Sequence, residues 1–287
     1  MNGILLINKP RGLTSHGVLY QLKRILNANK IGHVGTLDPQ ATGLLVVLVN
    51  EATKIAEFLN DDEKEYLAEI VIGESTDTED GEGIVVATQK VEPLKNVDDV
   101  LSTFIGKQQQ IPPMFSAIKI NGQKLYELAR RGEEVVRKPR NIEIFDIERK
   151  SPILYENGRA SFSFYVHTTK GTYIRSLCVD IGRKLNYLAR MGNLQRISSG
   201  KFHIKNSFTI DDVKNGDYCL INMLEVLSDF PSVEVNAKQA FKISNGMFLN
   251  QEELNCNHAV VLLKKEERLL AVYELKEGKY RAKRVWK

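Results

Sequence analysis

Apolar positions in this chain alternate between two periods, and the elements follow from where each one holds. Gly3 to Ile7 form a short apolar run of the kind a buried strand shows. Behind Thr14 or Ser15, either of which can cap a helix, Val18, Leu19, Leu22, Ile25 and Leu26 recur at helical spacing. LLVVLV at 44–49 reads as a second buried strand, and Ala52, Ile55, Ala56 and Leu59 as one face of a short helix. Tyr66 opens the strand YLAEIVI. The run GESTDTEDGEG then reads as an acidic loop, and VDDVLSTFIG as a helix. From 109 to 140 the pattern dissolves into a Pro-Pro, an Asn-Gly turn and seven basic residues from Lys119 onward. An irregular basic segment of that length inside a compact domain is usually functional or disordered. ASFSFYVHT at 160–168 alternates as a half-buried strand and leads into KGTYIRSLCVDIGRKL, where Ile174, Leu177, Cys178, Ile181 and Leu185 trace one helical face. Tyr173 and Arg175 therefore sit at that helix's first turn.

From about residue 232 the character changes. FKISNGMFL, AVVLLK, LLAVYEL and YRAKRVWK read as short strands at regular spacing, a small all-β module of about 55 residues. The expected division is 1–231 and 232–287. Interleaved strands and helices without a regular βαβ repeat favour an α+β fold over a doubly wound one.

Composition narrows the class. With 43% hydrophobic and 26% charged residues the chain is globular in type, and no apolar run approaches the roughly 20 residues that span a bilayer. The apolar run near the N-terminus is shorter than a signal-peptide core, which needs at least about 7 residues. Cys178, Cys219 and Cys256 form no CxxC pair, which argues against a disulfide framework or a zinc site and suits a reducing cytoplasm. Net charge is only +4, but it is distributed in stripes. Glu57 to Glu82 carries eleven carboxylates against the single base Lys64, whereas 181–210 has no carboxylate and holds Arg183, Lys184, Arg190, Arg196, Lys201 and Lys205. Lys279, Arg281, Lys283, Arg284 and Lys287 crowd the C-terminus. Such stripes suit a polyanion as well as they suit a solvated surface.

The most constrained stretch is GHVGTLDPQATG at 32–43, in which glycines surround His33 and Asp38. Taken singly, its residues have ordinary readings: Asp-Pro often starts a turn with the carboxylate capping backbone amides, and His33, Tyr66 and Arg175 suit a structural histidine, a core aromatic and a surface charge. Other chemistries lack their parts, since there is no GxxxxGK[ST] loop, no second carboxylate of a glycosidase pair and no histidine-rich cluster for a metal.

In combination the motifs are specific. GHVGTLDPQATGLLVVLVNEATK, preceded by INKPRGLTSHGV and followed by KEYLAEIVIGESTDTEDGEG, IPPMFSAIKINGQKLYELAR and KGTYIRSL, resembles the TruB-type tRNA pseudouridine synthases along nearly the whole chain. The resemblance implies a mixed, largely antiparallel sheet with flanking helices, a thumb-like insertion at 109–140 and a C-terminal PUA domain, which the module after residue 232 is similar to. It implies isomerisation of the uridine at position 55, in the T-loop of tRNA, to pseudouridine. Asp38 in GTLDP matches the family's catalytic aspartate, Tyr66 the tyrosine that stacks on the base and is favoured for removing its C5 proton, and Arg175 in GTYIR the arginine paired with the aspartate. His33, Tyr173 and Leu194 match residues that meet the substrate or line its pocket, and Lys9 with Pro10 a supporting pair. Two departures, Gln195 in LQR and Phe115 in PPMFSA, bear on RNA contact only.

The implied chemistry suits these residues. Breaking N1–C1′, turning the base and rejoining it through C5 requires no redox change, metal or cofactor, and a single carboxylate can act covalently or as a base. A bidentate arginine would keep Asp38 ionised, and the surrounding glycines would let backbone approach the nucleotide. Extruding the base costs roughly a few kcal/mol, and stacking on an aromatic returns about 1–3 kcal/mol. The basic segments 119–140 and 181–205 would hold phosphates. The expected partner is the T-arm of tRNA, with no membrane and no protein partner, and a monomer acting alone. The rival readings are a non-catalytic RNA-binding or tRNA-folding protein on the same scaffold, and a synthase working inside a guide-RNA complex.

Overall fold

The computed structural model describes residues 1–59, 63–120, 122–133 and 135–286. Asn121 of the Asn-Gly turn, Asp61 and Asp62 of the acidic stretch and Lys287 of the basic tail lie outside the described residues. The first strand is Gly3–Lys9, and the first helix, Ser15–Ile25, starts where expected because the Thr14 hydroxyl accepts a hydrogen bond from the Gly17 amide at 2.9 Å. Its Val18, Leu19 and Leu22 are buried, whereas Ile25 lies at the exposed edge of the stripe.

The fold is α+β, centred on a largely antiparallel sheet. Its main path runs Gly3–Lys9, Thr42–Val49, Ala189–Ser199, Lys64–Ile72, Arg159–Thr168, Arg140–Arg149 and Gly106–Gln110. Neighbours on this path are antiparallel except at one junction, where Ala189–Ser199 meets Thr42–Val49 in parallel with Gln195 opposite Thr42 and Arg196 opposite Gly43. The helix Ile174–Lys184 covers one face through Ile174, Leu177, Cys178 and Ile181, packing on Ile70, Phe162 and Phe164. Next to the parallel junction, Ala189–Ser199 shifts register between Met191 and Leu194 and again between Arg196 and Ser198. Such bulges re-aim side chains, and these flank the site described below.

Several local expectations are corrected. Asn50–Phe58 is a 3₁₀ helix, although Ala52 and Ile55 are buried as its apolar face required. The acidic run contains the short strand Glu74–Thr76, which pairs with Val85–Thr88. Within 109–140 there are a small hairpin, Lys119–Ile120 with Gln123–Lys124, and the helix Leu125–Arg130. The C-terminal β unit has the strand order Ser232–Glu234, Val260–Lys265, Arg268–Lys276, Lys279–Val285, Leu249–Asn250. Phe241 to Ser244, read above as strand, belong to the helix Ala237–Ser244. A capping box decides it, with the Asn236 side chain accepting from the Gln239 amide and the Gln239 side chain accepting from the Asn236 amide, both at 2.9 Å. This unit is not a loosely tethered appendage. Leu262, Leu269, Val272 and Trp286 share a core with Ile4, Leu44 and Ile55, and the Trp286 indole donates to the Glu51 carbonyl at 3.0 Å. Among the described residues no helix is long and apolar enough to cross a membrane.

Candidate active site

Asp38 lies in the loop between strands Ile31–Val34 and Thr42–Val49, and the N-terminal segment clamps that loop from beneath. The Ser15 hydroxyl accepts from the Leu37 amide at 3.0 Å and donates to the Leu37 carbonyl at 3.1 Å. The Lys9 ammonium, fully buried, donates to the carbonyls of Pro10, Leu13 and Pro39 at 3.0, 2.6 and 2.9 Å, and the Gly12 amide also reaches Pro39 O at 2.9 Å. Burial pulls the Lys9 pKa down to about 8. Held this way, the loop turns Asp38 toward a cavity, with 42% of its side chain exposed and its carboxylate on Arg175 rather than on backbone amides. The capping reading of Asp38 therefore fails.

The cavity has a volume of about 820 Å³, enough for a nucleotide, and Asp38, Tyr66, Tyr173, Arg175, Leu194 and Arg196 all contribute to its wall. Phe115, Ser116, Tyr126 and Arg130 of the 109–140 segment close one side. Three elements separated by long stretches of chain thus converge. Tyr66 comes from the central strand Lys64–Ile72, Tyr173 and Arg175 from the start of the helix Ile174–Lys184, and Leu194 from the bulge in Ala189–Ser199. Tyr173 is fixed by Gln110, whose side chain accepts from the Tyr173 amide at 2.8 Å and donates to its carbonyl at 3.0 Å. His33 is not brought into this wall. It lies on the strand Ile31–Val34 with its ring 5.7 Å from that of His16, and burial, with His16 and Arg196 nearby, lowers its pKa to about 4.

Arg175 does pair with Asp38, but not as a bidentate fork. Its Nη2 is 3.1 Å from Asp38 Oδ2 and donates to Phe115 O at 2.9 Å, while Nη1 is 3.6 Å from Asp80 Oδ2 and donates to Thr78 O at 3.1 Å. One guanidinium thus ties together the Asp38 loop, the acidic loop and the 109–140 segment. Arg175 does not hold Asp38 below the ordinary carboxylate range. Burial raises the Asp38 pKa, Arg175 opposes that rise, and Asp80 and Glu82 add to it. Asp80 is a site residue that sequence reasoning missed, since nothing in GESTDTEDGEG singles out one carboxylate among several.

Arg196 was missed in another way, as one of several cations in a basic stretch. It is 1% exposed and points inward, donating to Leu44 O at 2.7 Å, Gly35 O at 2.8 Å and Thr36 O at 3.4 Å. Tyr66 stands opposite it in the antiparallel register, with its phenol within the influence of the same guanidinium. Burial pushes the Tyr66 phenol up and Arg196 pulls it back. Two glycines of the motif, Gly35 and Gly43, lie directly against this residue. A Cβ at Gly35 would lie 3.1 Å from Arg196 Nη1, and one at Gly43 would lie 2.3 Å from Arg196 O.

The basic segments differ in what they offer a phosphate. In 181–205, Arg190 is bound to Glu74, Arg183 to Asp180 and Lys201 to Asp229, and Arg196 is internal. In the C-terminal tail Arg281, Lys283 and Arg284 face Glu277, Glu274 and Glu57. Lys119, Arg130, Lys138 and Arg140 remain exposed along the 109–140 segment, and Arg130 lines the cavity. Among the described residues no His, Cys, Asp and Glu group is arranged to hold a metal ion. What the site can do chemically is present a carboxylate, a phenol and two guanidiniums to a planar base, with Leu194 as an apolar wall.

Comparison with known proteins fits this geometry. Residues 23–174 match the model of the TruB family pseudouridylate synthase N-terminal domain, and residues 175–226 that of the tRNA pseudouridylate synthase B C-terminal domain. The chain is 43% identical to tRNA pseudouridine synthase B of Bacillus cereus over 287 residues, covering 96% of this chain and 92% of the relative. It is 45% identical to tRNA pseudouridine synthase B of Bacillus pumilus over 258 residues, covering 87% and 84%. Among solved structures, a chain of the "Crystal Structure of a Cbf5-Nop10-Gar1 Complex" superposes with a TM-score of 0.68 at 26% identity, covering 99% of this chain and 84% of that one. A chain of the archaeal box H/ACA sRNP Nop10-Cbf5 complex gives 0.67 at 24% identity, covering 99% and 85%, a likeness of fold alone.

Proposed function

The chain belongs to the TruB family of tRNA pseudouridine synthases, which are isomerases, and we propose that its substrate is the uridine at position 55 in the T-loop of tRNA. The observation that carries this reading is the convergence of Asp38, Tyr66 and Arg175 on one base-sized cavity, since RNA binding alone requires no carboxylate facing such a pocket. The T-loop uridine flips out of its stack into the cavity, where Tyr66 and Leu194 receive it and Tyr173 lies alongside. Asp38 acts at the sugar as nucleophile or base when N1–C1′ breaks. Arg175 favours the carboxylate form that this role requires. Once C5 has bonded to C1′, the phenol of Tyr66 exchanges protons with the base.

The exposed cations around 109–140 hold the T-arm backbone beside the mouth, which supports a thumb role for that segment. Residues 232–287 form a PUA-like RNA-binding unit that follows the catalytic domain 1–231. The enzyme works as a monomer, without cofactor or protein partner, in the cytoplasm where its substrate is.

The test is tritium release from [5-³H]uridine in unmodified tRNA incubated with this protein alone. Release is expected from the wild type and not from Asp38→Asn, which keeps shape, and tRNA binding should survive the substitution. Asp38→Asn turnover within about tenfold of wild type would sink the assignment, and release only with added guide RNA would favour the rival assembly.

A further inference from the structure

Arg196 is a buried cation with an unusual set of partners. Three of its hydrogen bonds go to carbonyls of the Asp38 loop and the strand after it, and among the described residues it meets no carboxylate. A buried guanidinium without an anion is costly, and dipoles offset only part of that cost. Directly opposite it across strands Lys64–Ile72 and Ala189–Ser199 stands Tyr66. A guanidinium can only donate. Both residues line the cavity, so a hydrogen bond between them would use the Tyr66 oxygen as acceptor and leave the phenol proton for another partner.

We propose that Arg196 is a positioning residue for proton transfer, fixing the Tyr66 hydroxyl with its proton toward the base and supplying the counter-charge when that proton leaves. The proposal rests on the reading of this site as a uridine isomerase. After C5 has bonded to C1′, C5 still bears its hydrogen and C6 is double-bonded to N1. Tyr66 gives its hydroxyl proton to N1 and becomes a phenolate. The phenolate then takes the proton from C5, the C5–H electron pair forms the C5=C6 bond, and the C6=N1 pair returns to N1. The phenol is restored and no outside acid or base is consumed. Between the two transfers the phenolate faces Asp38, whose charge opposes it, and Arg196, whose charge holds it. The Arg196 guanidinium is held in place by its bonds to the Leu44, Gly35 and Thr36 carbonyls, with Gly35 close against it.

The experiment uses a T-arm hairpin carrying [5-³H]uridine under single-turnover conditions. Arg196→Gln should cut tritium release about a hundredfold, the usual effect of losing one preorganised donor, while hairpin affinity stays within about threefold. Replacing Tyr66 with 3,5-difluorotyrosine, a more acidic phenol, should then restore about tenfold of the lost rate in Arg196→Gln. A packing role for Arg196 is indifferent to phenol acidity, so absence of that rescue overturns the proposal. Should Arg196→Gln fail to fold, the protein with only Tyr66 fluorinated decides: the Arg196 guanidinium ¹⁵N signals must move with the ¹⁹F titration, and signals that stay put overturn it. Normal release from the parent without rescue overturns this proposal alone. No release from the parent overturns the isomerase reading beneath it as well.

Discussion

Gly43→Ala would place a methyl group where two strands touch. A Cβ at Gly43 would lie 2.3 Å from Arg196 O and 2.8 Å from Arg196 N, and Gly43 has φ +98°. Both neighbours are backbone atoms of the parallel partner strand, so no side chain can rotate to make room. Left-handed backbone costs a non-glycine residue about 1–2 kcal/mol, and overpacking costs about 1–3 kcal/mol. The sum is about 2–5 kcal/mol, which at about 2–4 °C per kcal/mol lowers Tm by about 10 °C. Gly216→Ala is the control, because Gly216 has φ +88° but nothing within 4 Å of the added Cβ, so it carries the backbone cost alone. Melting curves of both variants, paired with single-turnover tritium release below both transitions, separate the two effects. Gly43→Ala should lose about twice as much Tm as Gly216→Ala, and it should lose activity while still folded, because Arg196 and the Asp38 loop shift with the junction. Equal Tm losses would refute the packing argument, and full activity at the lower Tm would refute the link between that junction and the site.

Arg175→Met should move the acidic limb of the pH–rate profile to higher pH, because burial already raises the Asp38 pKa and Arg175 is the largest influence opposing it; an unmoved limb would show that the pair does not set Asp38's charge. Arg175→Lys should cut turnover about tenfold or more, since a point charge cannot keep the Asp38, Asp80 and backbone contacts together; single-turnover rates at saturating tRNA check it. His33 should stay neutral in the folded protein down to about pH 4 while titrating near 6.5 when unfolded. The fold therefore loses stability as pH falls through that window, His33→Leu should flatten this part of the Tm–pH curve, and an NMR titration of His33 near its ordinary pKa would contradict it. Trp286→Ala should cost about 3–5 kcal/mol in denaturant unfolding, because Trp286 is part of the core shared by the two units, and a loss below 1 kcal/mol would mean that the C-terminal unit merely rests on the rest.

Much of this protein is legible from local pattern. The strand at Gly3–Lys9, the capped helix after Thr14, the strand carrying Tyr66 and the helix carrying Arg175 follow from the spacing of apolar residues, because burying one face of an element is a local demand that each segment answers by itself. The motif around Asp38 was legible for a related reason, since a loop with so many glycines and a proline next to its carboxylate is unusual in any context. Local capping explains the one strand expectation that became a helix, Phe241 to Ser244.

What pattern could not decide is which charged groups face one another. Arg196 and Lys201 look alike in sequence, yet one is sealed behind the Asp38 loop and the other binds Asp229 at the surface. Asp80 is one carboxylate in an acidic run, and only the fold of that loop against Arg175 selects it. His33, five residues from Asp38, ends against His16 outside the pocket wall, while Leu194 ends in that wall. A charge's role depends on strand pairing and loop closure between segments more than a hundred residues apart, Tyr66 with Arg196 and Asp38 with Arg175. The apolar period of a segment says which side is buried, and it carries no information about the partner that will be waiting there.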